Sequence, residues 1–213
     1  MCGIVGVVSE KPFEVTDLIK SLKRLEYRGY DSVGFATDKG IVEKDVGQIK
    51  DFMTSANLKQ TANIAISHTR WATHGGVTKT NAHPHTDCSG EIMIVHNGII
   101  ENFIELKNEL EKEGHKIKSD TDSELIAHFF EGKNMKKACT EFFKKIQGTF
   151  AVLIIKKDGK EIYALKLPKA SLTVYTNPAL MTNFLYNKYP ILLHLQNLSS
   201  PGPKFELTPL YLV

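Results

Sequence analysis

The sequence predicts an α+β domain built on antiparallel sheets. Two hairpin patterns carry this prediction, because apolar runs of strand length flank Asp38-Lys39-Gly40 and again flank Asp158-Gly159. Three segments, over 15–25, 103–110 and 135–146, have apolar residues that recur at three- and four-residue spacing, which is typical of amphipathic helices. Few strand–helix–strand units are present, so a parallel sheet is not expected.

The predicted elements alternate along the chain up to residue 166. A short β-branched run over 3–8 predicts the first buried strand. A helix over 15–25 should end near Gly29. The motif Thr121 to Glu124 predicts a capping box before the apolar run 125–130. Further strands are predicted over 33–37, 41–46, 63–68, 92–96, 149–155 and 161–165, and further helices over 103–110 and 135–146.

Length, charge and cysteine content exclude several classes of protein. The 213 residues suit one generous domain or two small ones. The net charge of +3 is weak and dispersed, so neither nucleic acid nor a membrane surface is expected as a partner. No run reaches the roughly 18–20 apolar residues of a membrane span. Three irregularly spaced cysteines and no signal peptide predict a reducing, cytoplasmic location.

The composition changes after Lys166. Residues 167–213 contain six of the eight prolines but only four charged residues. We therefore predict a domain over 1–166, followed by a divergent or aberrant segment over 167–213. That segment is either the altered end of a truncated gene or a variant closure of the same domain.

Cys2 is a candidate nucleophile because of its position. If Met1 is removed, Cys2 becomes the N-terminal residue, and its free α-amine has a reference pKa of roughly 7.7–8.0. The nucleophile would then carry its own base on the same residue. The alternative is that Cys2 merely begins a buried strand as a small apolar residue.

Asn97-Gly98 follows an apolar strand directly. A side-chain amide beside a glycine N–H gives two donors of the kind that an oxyanion hole needs. The alternative for this pair is a plain type I′ turn.

Arginine and histidine raise two further hypotheses. Only three of the 27 basic residues are arginine, namely Arg24, Arg28 and Arg70, which favours a role in two-pronged carboxylate recognition. Five residues are candidate zinc ligands, namely His68, His74, His83, His85 and Cys88. Their spacings fit neither a zinc finger nor an HExxH helix, so no metal site is predicted.

Three segments together carry a family resemblance. Residues 2–6 (CGIVG), 26–32 (EYRGYDS) and 68–75 (HTRWATHG) resemble class II glutamine amidotransferase domains, and within them the glutaminase domains of the aminosugar-forming branch. The resemblance covers about residues 2–166. It implies the N-terminal nucleophile hydrolase fold, a four-layer αββα sandwich of two antiparallel sheets, and no cofactor.

The resemblance also implies catalytic roles. Cys2 would attack the side-chain amide of L-glutamine, and Asn97 with Gly98 would hold the oxyanion. Arg70 would bind the α-carboxylate of the substrate, and Asp122 its α-ammonium group. The alternative for Asp122 is a helix-capping role within the predicted capping box.

Other residues would line or order the pocket by the same resemblance. Trp71, Thr73, His74 and His83 would line it, and Arg28 would order the chain start. Trp71 could instead be a core residue, and His83, like His85, could lie in a surface loop.

The resemblance further implies a biological context. Glutamine hydrolysis would serve a glutamine–fructose-6-phosphate aminotransferase that makes glucosamine 6-phosphate, in a homodimer. The isomerase domain that uses fructose 6-phosphate is absent from these 213 residues. The alternatives are a catalytically dead remnant and the purine or asparagine branch of the class.

Overall fold

The computed structural model describes residues 2–73 and 75–167, and the backbone of two later strands, Ile191–Gln196 and Phe205–Pro209. These residues form two antiparallel sheets. Sheet A has the strand order β1-β4-β2-β3. Its strands are β1 (Gly3–Glu14), β2 (Ser32–Thr37), β3 (Val42–Val46) and β4 (Thr61–Arg70).

Sheet B has six strands in the order β10-β9-β8-β7-β6-β5. They are β5 (His85–Thr86), β6 (Ile92–Ile100), β7 (Gly148–Lys156), β8 (Glu161–Lys166), β9 (Ile191–Gln196) and β10 (Phe205–Pro209). The helices are α1 (Val15–Lys23), α2 (Ile49–Ser55), α3 (Phe103–Lys112), α4 (Glu124–Phe130) and α5 (Met135–Lys145).

Three apolar clusters hold the layers together. In the first, Leu18 and Leu22 of α1 pack on Phe35 of sheet A. The second lies between the sheets and includes Ile66 and Val95. The third packs α3, α4 and α5 on the outer face of sheet B, with side chains such as Leu106, Phe130 and Phe142. The αββα sandwich and the α+β class are therefore confirmed.

The hairpin predictions, which depend only on a short turn sequence and the strands beside it, are confirmed. Both predicted hairpins are present, as β2–β3 and β7–β8. The capping box is wrong: Ser123 precedes α4 without a side-chain cap, and the Thr121 hydroxyl contacts the His85 ring at 3.1 Å. The seven-residue helix α2 was missed, because its two buried residues, Ile49 and Phe52, are too few to show a helical stripe.

The backbone of the two late strands extends sheet B. β9 pairs with β8, with Ile162 opposite Leu195, and β10 pairs with β9. The domain boundary at residue 166 stays a prediction. Among the described residues, no helix is both long enough and apolar enough to cross a membrane.

Candidate active site

Cys2 lies where both sheets approach the start of β1. Gly3 pairs with Thr69, so Cys2 is placed beside the end of β4. The backbone N–H of Trp71 donates to Cys2 Sγ at 3.2 Å. The side-chain Nδ2 of Asn97, which is 95 positions away in the chain, donates to the Cys2 carbonyl oxygen at 2.9 Å. The fold thus holds both the thiol and the backbone of Cys2.

Close backbone packing fixes this corner of sheet A. A Cβ atom on Gly3 would lie 2.8 Å from Leu25 Cβ, so a larger residue would displace the chain start. A Cβ atom on Gly29 would lie 2.6 Å from Trp71 N. Arg28, directly before Gly29, is half-buried, and its role in ordering the chain start stays a prediction. Asp31 was missed as a support: its Oδ2 accepts the Ala72 N–H at 2.8 Å.

His68 fixes the orientation of the Asn97 amide. Its Nε2 lies 3.0 Å from Asn97 Oδ1 and 3.1 Å from the His96 carbonyl oxygen. Both partners are acceptors, so Nε2 must carry the proton. The amide oxygen of Asn97 therefore faces His68, and its NH₂ group faces Cys2. Strand alternation could have placed His68 on the same face of β4 as Arg70, because the two lie two residues apart, but not its contact with Asn97.

A group of buried histidines supports this contact. The rings of His68 and His83 stack with their centroids 4.1 Å apart, and the ring of His85 meets that of His83 edge-on, with a centroid distance of 4.6 Å. His83 Nδ1 accepts the backbone N–H of His96 at 3.2 Å. The hypothesis that His83 and His85 lie in a surface loop is wrong, because both are buried. His83 supports His68 from within the fold, and none of its observed contacts assigns it to the pocket wall.

Burial keeps these histidines neutral. It lowers the pKa of His68 to about 3 and places the pKa values of His83, His85 and His96 below their usual range. The unfolded chain binds protons near pH 6.5, whereas the folded chain does not. Stability is therefore complete above about pH 6.5 and falls as the pH drops toward the folded pKa values.

We expect steep acid destabilisation as a result. Each histidine can contribute up to about 1.4 kcal/mol of lost stability per pH unit below pH 6.5. Urea unfolding midpoints at closely spaced pH values measure this slope. His85→Gln can still form a hydrogen bond with Thr121 but removes one titrating ring, so the slope should fall by up to about 1.4 kcal/mol per pH unit. An unchanged slope in that variant would contradict the prediction.

Gly98 lies inside a strand, not in a turn. β6 continues to Ile100, and Gly98 pairs with Phe150 of β7. Its φ is +139°, and a Cβ atom there would lie 1.9 Å from the Thr149 carbonyl oxygen. The type I′ turn hypothesis for Asn97-Gly98 is therefore wrong, and so is the prediction that the strand ends before this pair. Glycine is needed because β7 passes so closely.

Asp122 is connected to the same strand. Its Oδ2 accepts the Ile100 N–H at 2.7 Å, and its Oδ1 accepts from Ser123 Oγ at 3.2 Å. Ser123 Oγ also lies 2.8 Å from His96 Nδ1. None of these contacts caps α4, so they do not support the capping alternative. Ser123, which the sequence did not single out, links the Asp122 carboxylate to the buried histidines.

Arg70 is a buried cation at the end of β4. Its Nη1 donates to the Gly76 carbonyl oxygen at 3.2 Å. Burial lowers the pKa of its guanidinium group, and the charges of Cys2, Asp31 and Asp122 partly offset that effect. Arg70 thus lies within electrostatic range of both Cys2 and Asp122.

The remaining predicted residues lie on the segment after β4. The side chain of Trp71 is 45% exposed and meets the Tyr30 ring edge-on at 5.6 Å, so the core alternative is wrong. Thr73 is exposed. His74 lies outside the described residues.

Sequence comparisons identify the family of this chain. Residues 68–178, just over half of the chain, match the model of the glutamine amidotransferase domain. A glutamine–fructose-6-phosphate aminotransferase (isomerizing) from Pyrococcus horikoshii is 48% identical over 171 residues, covering 76% of this chain and 28% of the relative. The same enzyme from Aquifex aeolicus is 49% identical over 163 residues, covering 73% of this chain and 27% of the relative. The chain thus spans less than a third of the length of these relatives.

Solved structures agree at the level of the fold. The glutamine phosphoribosylpyrophosphate amidotransferase from B. subtilis, solved with ADP and GMP, superposes with a TM-score of 0.74 at 22% identity. The superposition covers 97% of this chain and 49% of that one. Together with the family match, the fold and the site lead to one conclusion: the chain belongs to the glutamine amidotransferase domain family.

Proposed function

We propose that this chain hydrolyses L-glutamine to glutamate and ammonia, with Cys2 as the nucleophile. One observation carries the proposal. The Asn97 side chain, oriented by His68, donates to the Cys2 carbonyl oxygen at 2.9 Å. A hydrogen-bond donor therefore lies beside the candidate nucleophile, as acyl transfer through an oxyanion requires.

The proposed reaction begins with removal of Met1. The free α-amine of Cys2 takes the thiol proton, and Sγ attacks the side-chain amide carbon of glutamine. Asn97 Nδ2 and the Gly98 N–H hold the resulting oxyanion. The protonated amine then gives its proton to the departing ammonia, leaving a thioester. Water, deprotonated by the same amine, hydrolyses the thioester through a second oxyanion.

Opposite charges would recognise the substrate. Glutamine is a zwitterion, so specificity for it calls for one fixed cation and one fixed anion. Arg70 would bind its α-carboxylate and Asp122 its α-ammonium group, since the two side chains interact electrostatically in the fold. Trp71, Thr73 and His74 lie on the segment that we propose lines the pocket.

The names of the relatives support a context for the ammonia. We propose that this domain works within a longer, homodimeric protein, where an isomerase domain using fructose 6-phosphate receives the ammonia and forms glucosamine 6-phosphate. Identities of 48% and 49% to aminosugar enzymes favour this branch, whereas the purine-branch likeness, at 22% identity, extends to the fold alone. The asparagine branch stays an alternative from the family resemblance, and a catalytically dead remnant is one outcome of the labelling test below.

Selective labelling tests the proposed function. A glutamine-shaped diazo-ketone should modify Cys2 and abolish glutaminase turnover, because only Cys2 has a base and a substrate site beside it. Exposed Cys88 is the internal control, and burial raises the pKa of the Cys139 thiol to about 12. Peptide mapping identifies the modified residue. A folded chain without turnover or Cys2 labelling would be a dead remnant, and Cys88 labelled first would contradict the assignment.

Replacing Arg70 with lysine should weaken glutamine binding. Arg70→Lys keeps the charge but loses the planar pair of donors, so we expect a loss of about 1.5–3 kcal/mol. This loss corresponds to a KM raised roughly 10- to 150-fold, with kcat nearly unchanged. Arg24→Lys, at an exposed arginine, is the matched control. An Arg70→Lys variant that lowers only kcat would show that the role is assigned wrongly.

A further inference from the structure

Four potential metal ligands meet on the outer side of sheet B. Cys88, His115, His128 and Glu131 each offer one ligand atom, and these four atoms lie within 4.8 Å of one another. They come from the loop between β5 and β6, the segment after α3, and the C-terminal end of α4. No step of the proposed glutamine hydrolysis uses them.

The distances between the ligand atoms fit a tetrahedral ion. Bonds of about 2.0–2.3 Å to zinc place neighbouring ligand atoms about 3.3–3.8 Å apart. Cys88 Sγ lies 3.5 Å from His128 Nδ1 and 3.9 Å from His115 Nδ1. Glu131 Oε2 lies 3.3 Å from His128 Nδ1 and 2.8 Å from His115 Nδ1. Of these four pairs, only the last would need to separate, by about half an ångström, and the two remaining pairs lie within 4.8 Å.

The groups around the ligands also suit a metal. His128 Nε2 lies 3.5 Å from Glu124, and His115 Nε2 lies 3.8 Å from Glu113. Each ring thus directs Nδ1 into the cluster and Nε2 toward a carboxylate, which is how metal-bound histidines are commonly held. The Lys116 N–H donates to Cys88 Sγ at 3.3 Å and would stabilise a thiolate.

We propose that Cys88, His115, His128 and Glu131 form a structural Zn²⁺ site. One thiolate and one carboxylate balance the charge of the ion, and sulfur with imidazole ligands favours zinc over magnesium or calcium. Four protein ligands leave no open position, so the ion has a structural role. On binding, the Cys88 thiol releases its proton to solvent as the Zn–S bond forms.

The site would anchor α4 to the loop that precedes β6. Glu124, which faces His128, also accepts the Lys118 N–H at 3.0 Å. The segment that leads to Asp122 is therefore tied to the same helix.

The prediction of no metal site considered Cys88 only together with His68, His74, His83 and His85. It did not combine Cys88 with His115 and His128, which come later in the sequence and reach it only through the fold.

Metal substitution tests the proposal directly. The full chain, freed of metal with a chelator, should bind about one Zn²⁺ and show a higher Tm in its presence. Its Co²⁺ form should show thiolate charge-transfer and tetrahedral absorption bands. Cys88→Ser should lose the charge-transfer band while staying folded by circular dichroism. Cys2→Ser is the matched control, because an N-terminal cysteine is itself a chelator, and it should keep the band.

Variants with reduced Zn²⁺ affinity distinguish the metal ligands from the residues that only hydrogen-bond or face those ligands. Glu131→Gln should weaken Zn²⁺ binding strongly, and Glu113→Gln should weaken it roughly tenfold through His115. A charge-transfer band lost in Cys2→Ser but kept in Cys88→Ser would overturn the proposal. So would an absence of zinc binding by the folded wild-type chain. These readouts do not depend on glutamine turnover, so failure of the zinc proposal and failure of the proposed function can be told apart.

Discussion

A chain that retains Met1 should show no glutaminase turnover while keeping its fold. In that chain the nitrogen of Cys2 is an amide, which cannot accept the thiol proton or return it to ammonia. The free α-amine, with a reference pKa of roughly 7.7–8.0, can do both near neutral pH. Loss of the base removes the attack and the departure steps together, so we expect loss of activity and not a partial decrease.

A cleavable N-terminal tag makes the comparison within one preparation. The tagged chain should be inactive, and cleavage that leaves Cys2 as the first residue should restore turnover. Intact mass gives the state of the N-terminus, and circular dichroism checks the fold. The same tag at the C-terminal end is the matched control and should leave turnover intact. Full turnover from a tagged, uncleaved chain would contradict the mechanism.

Sequence patterns predicted the helices and strands of the sandwich because each of these elements depends on the periodicity of apolar residues within one stretch of chain. The apolar stripe of α1 and the β7–β8 hairpin each lie within one stretch of chain, and both formed as expected. Asn97-Gly98 shows the limit of this approach. The pair has turn chemistry, but β6 is held to β7 from Ile92 to Ile100, and this pairing overrides the local preference.

The contacts that orient the site could not be predicted from local patterns. His68 and Asn97 lie 29 positions apart and belong to different sheets. Their contact exists only because the two sheets stack face to face. The sequence supplied both residues within its motifs, but not the pairing that turns the amide toward Cys2.

The capping alternative for Asp122 failed for a similar reason. Glu124, the expected reciprocal partner in the capping box, instead accepts from Lys118 and Ser119 and faces His128. Tertiary partners therefore replaced the local motif. The Asp122 carboxylate is consequently bound to β6, the strand that carries Asn97.

Asn97→Ala should lower kcat by roughly 10²–10³-fold, with a smaller change in KM. The reason is that in the proposed mechanism Asn97 would meet an oxygen that is fully anionic only in the transition state, whereas the ground-state amide would need its donor far less. His68 acts on the same step by positioning Asn97. His68→Ala should therefore lower kcat by a smaller factor, and His68→Gln, which can still donate to Asn97 Oδ1, should recover part of the loss.

Steady-state kinetics on processed, folded variants decide between these roles. Asn63→Ala is the matched control, because Asn63 lies near the opposite end of β4 and its amide donates to the Ser9 carbonyl oxygen. That variant should leave both kinetic constants near those of the wild type. An Asn97→Ala variant that raises only KM would place Asn97 in ground-state binding. If His68→Ala and His68→Gln are equally impaired, the orienting hydrogen bond is not what His68 contributes.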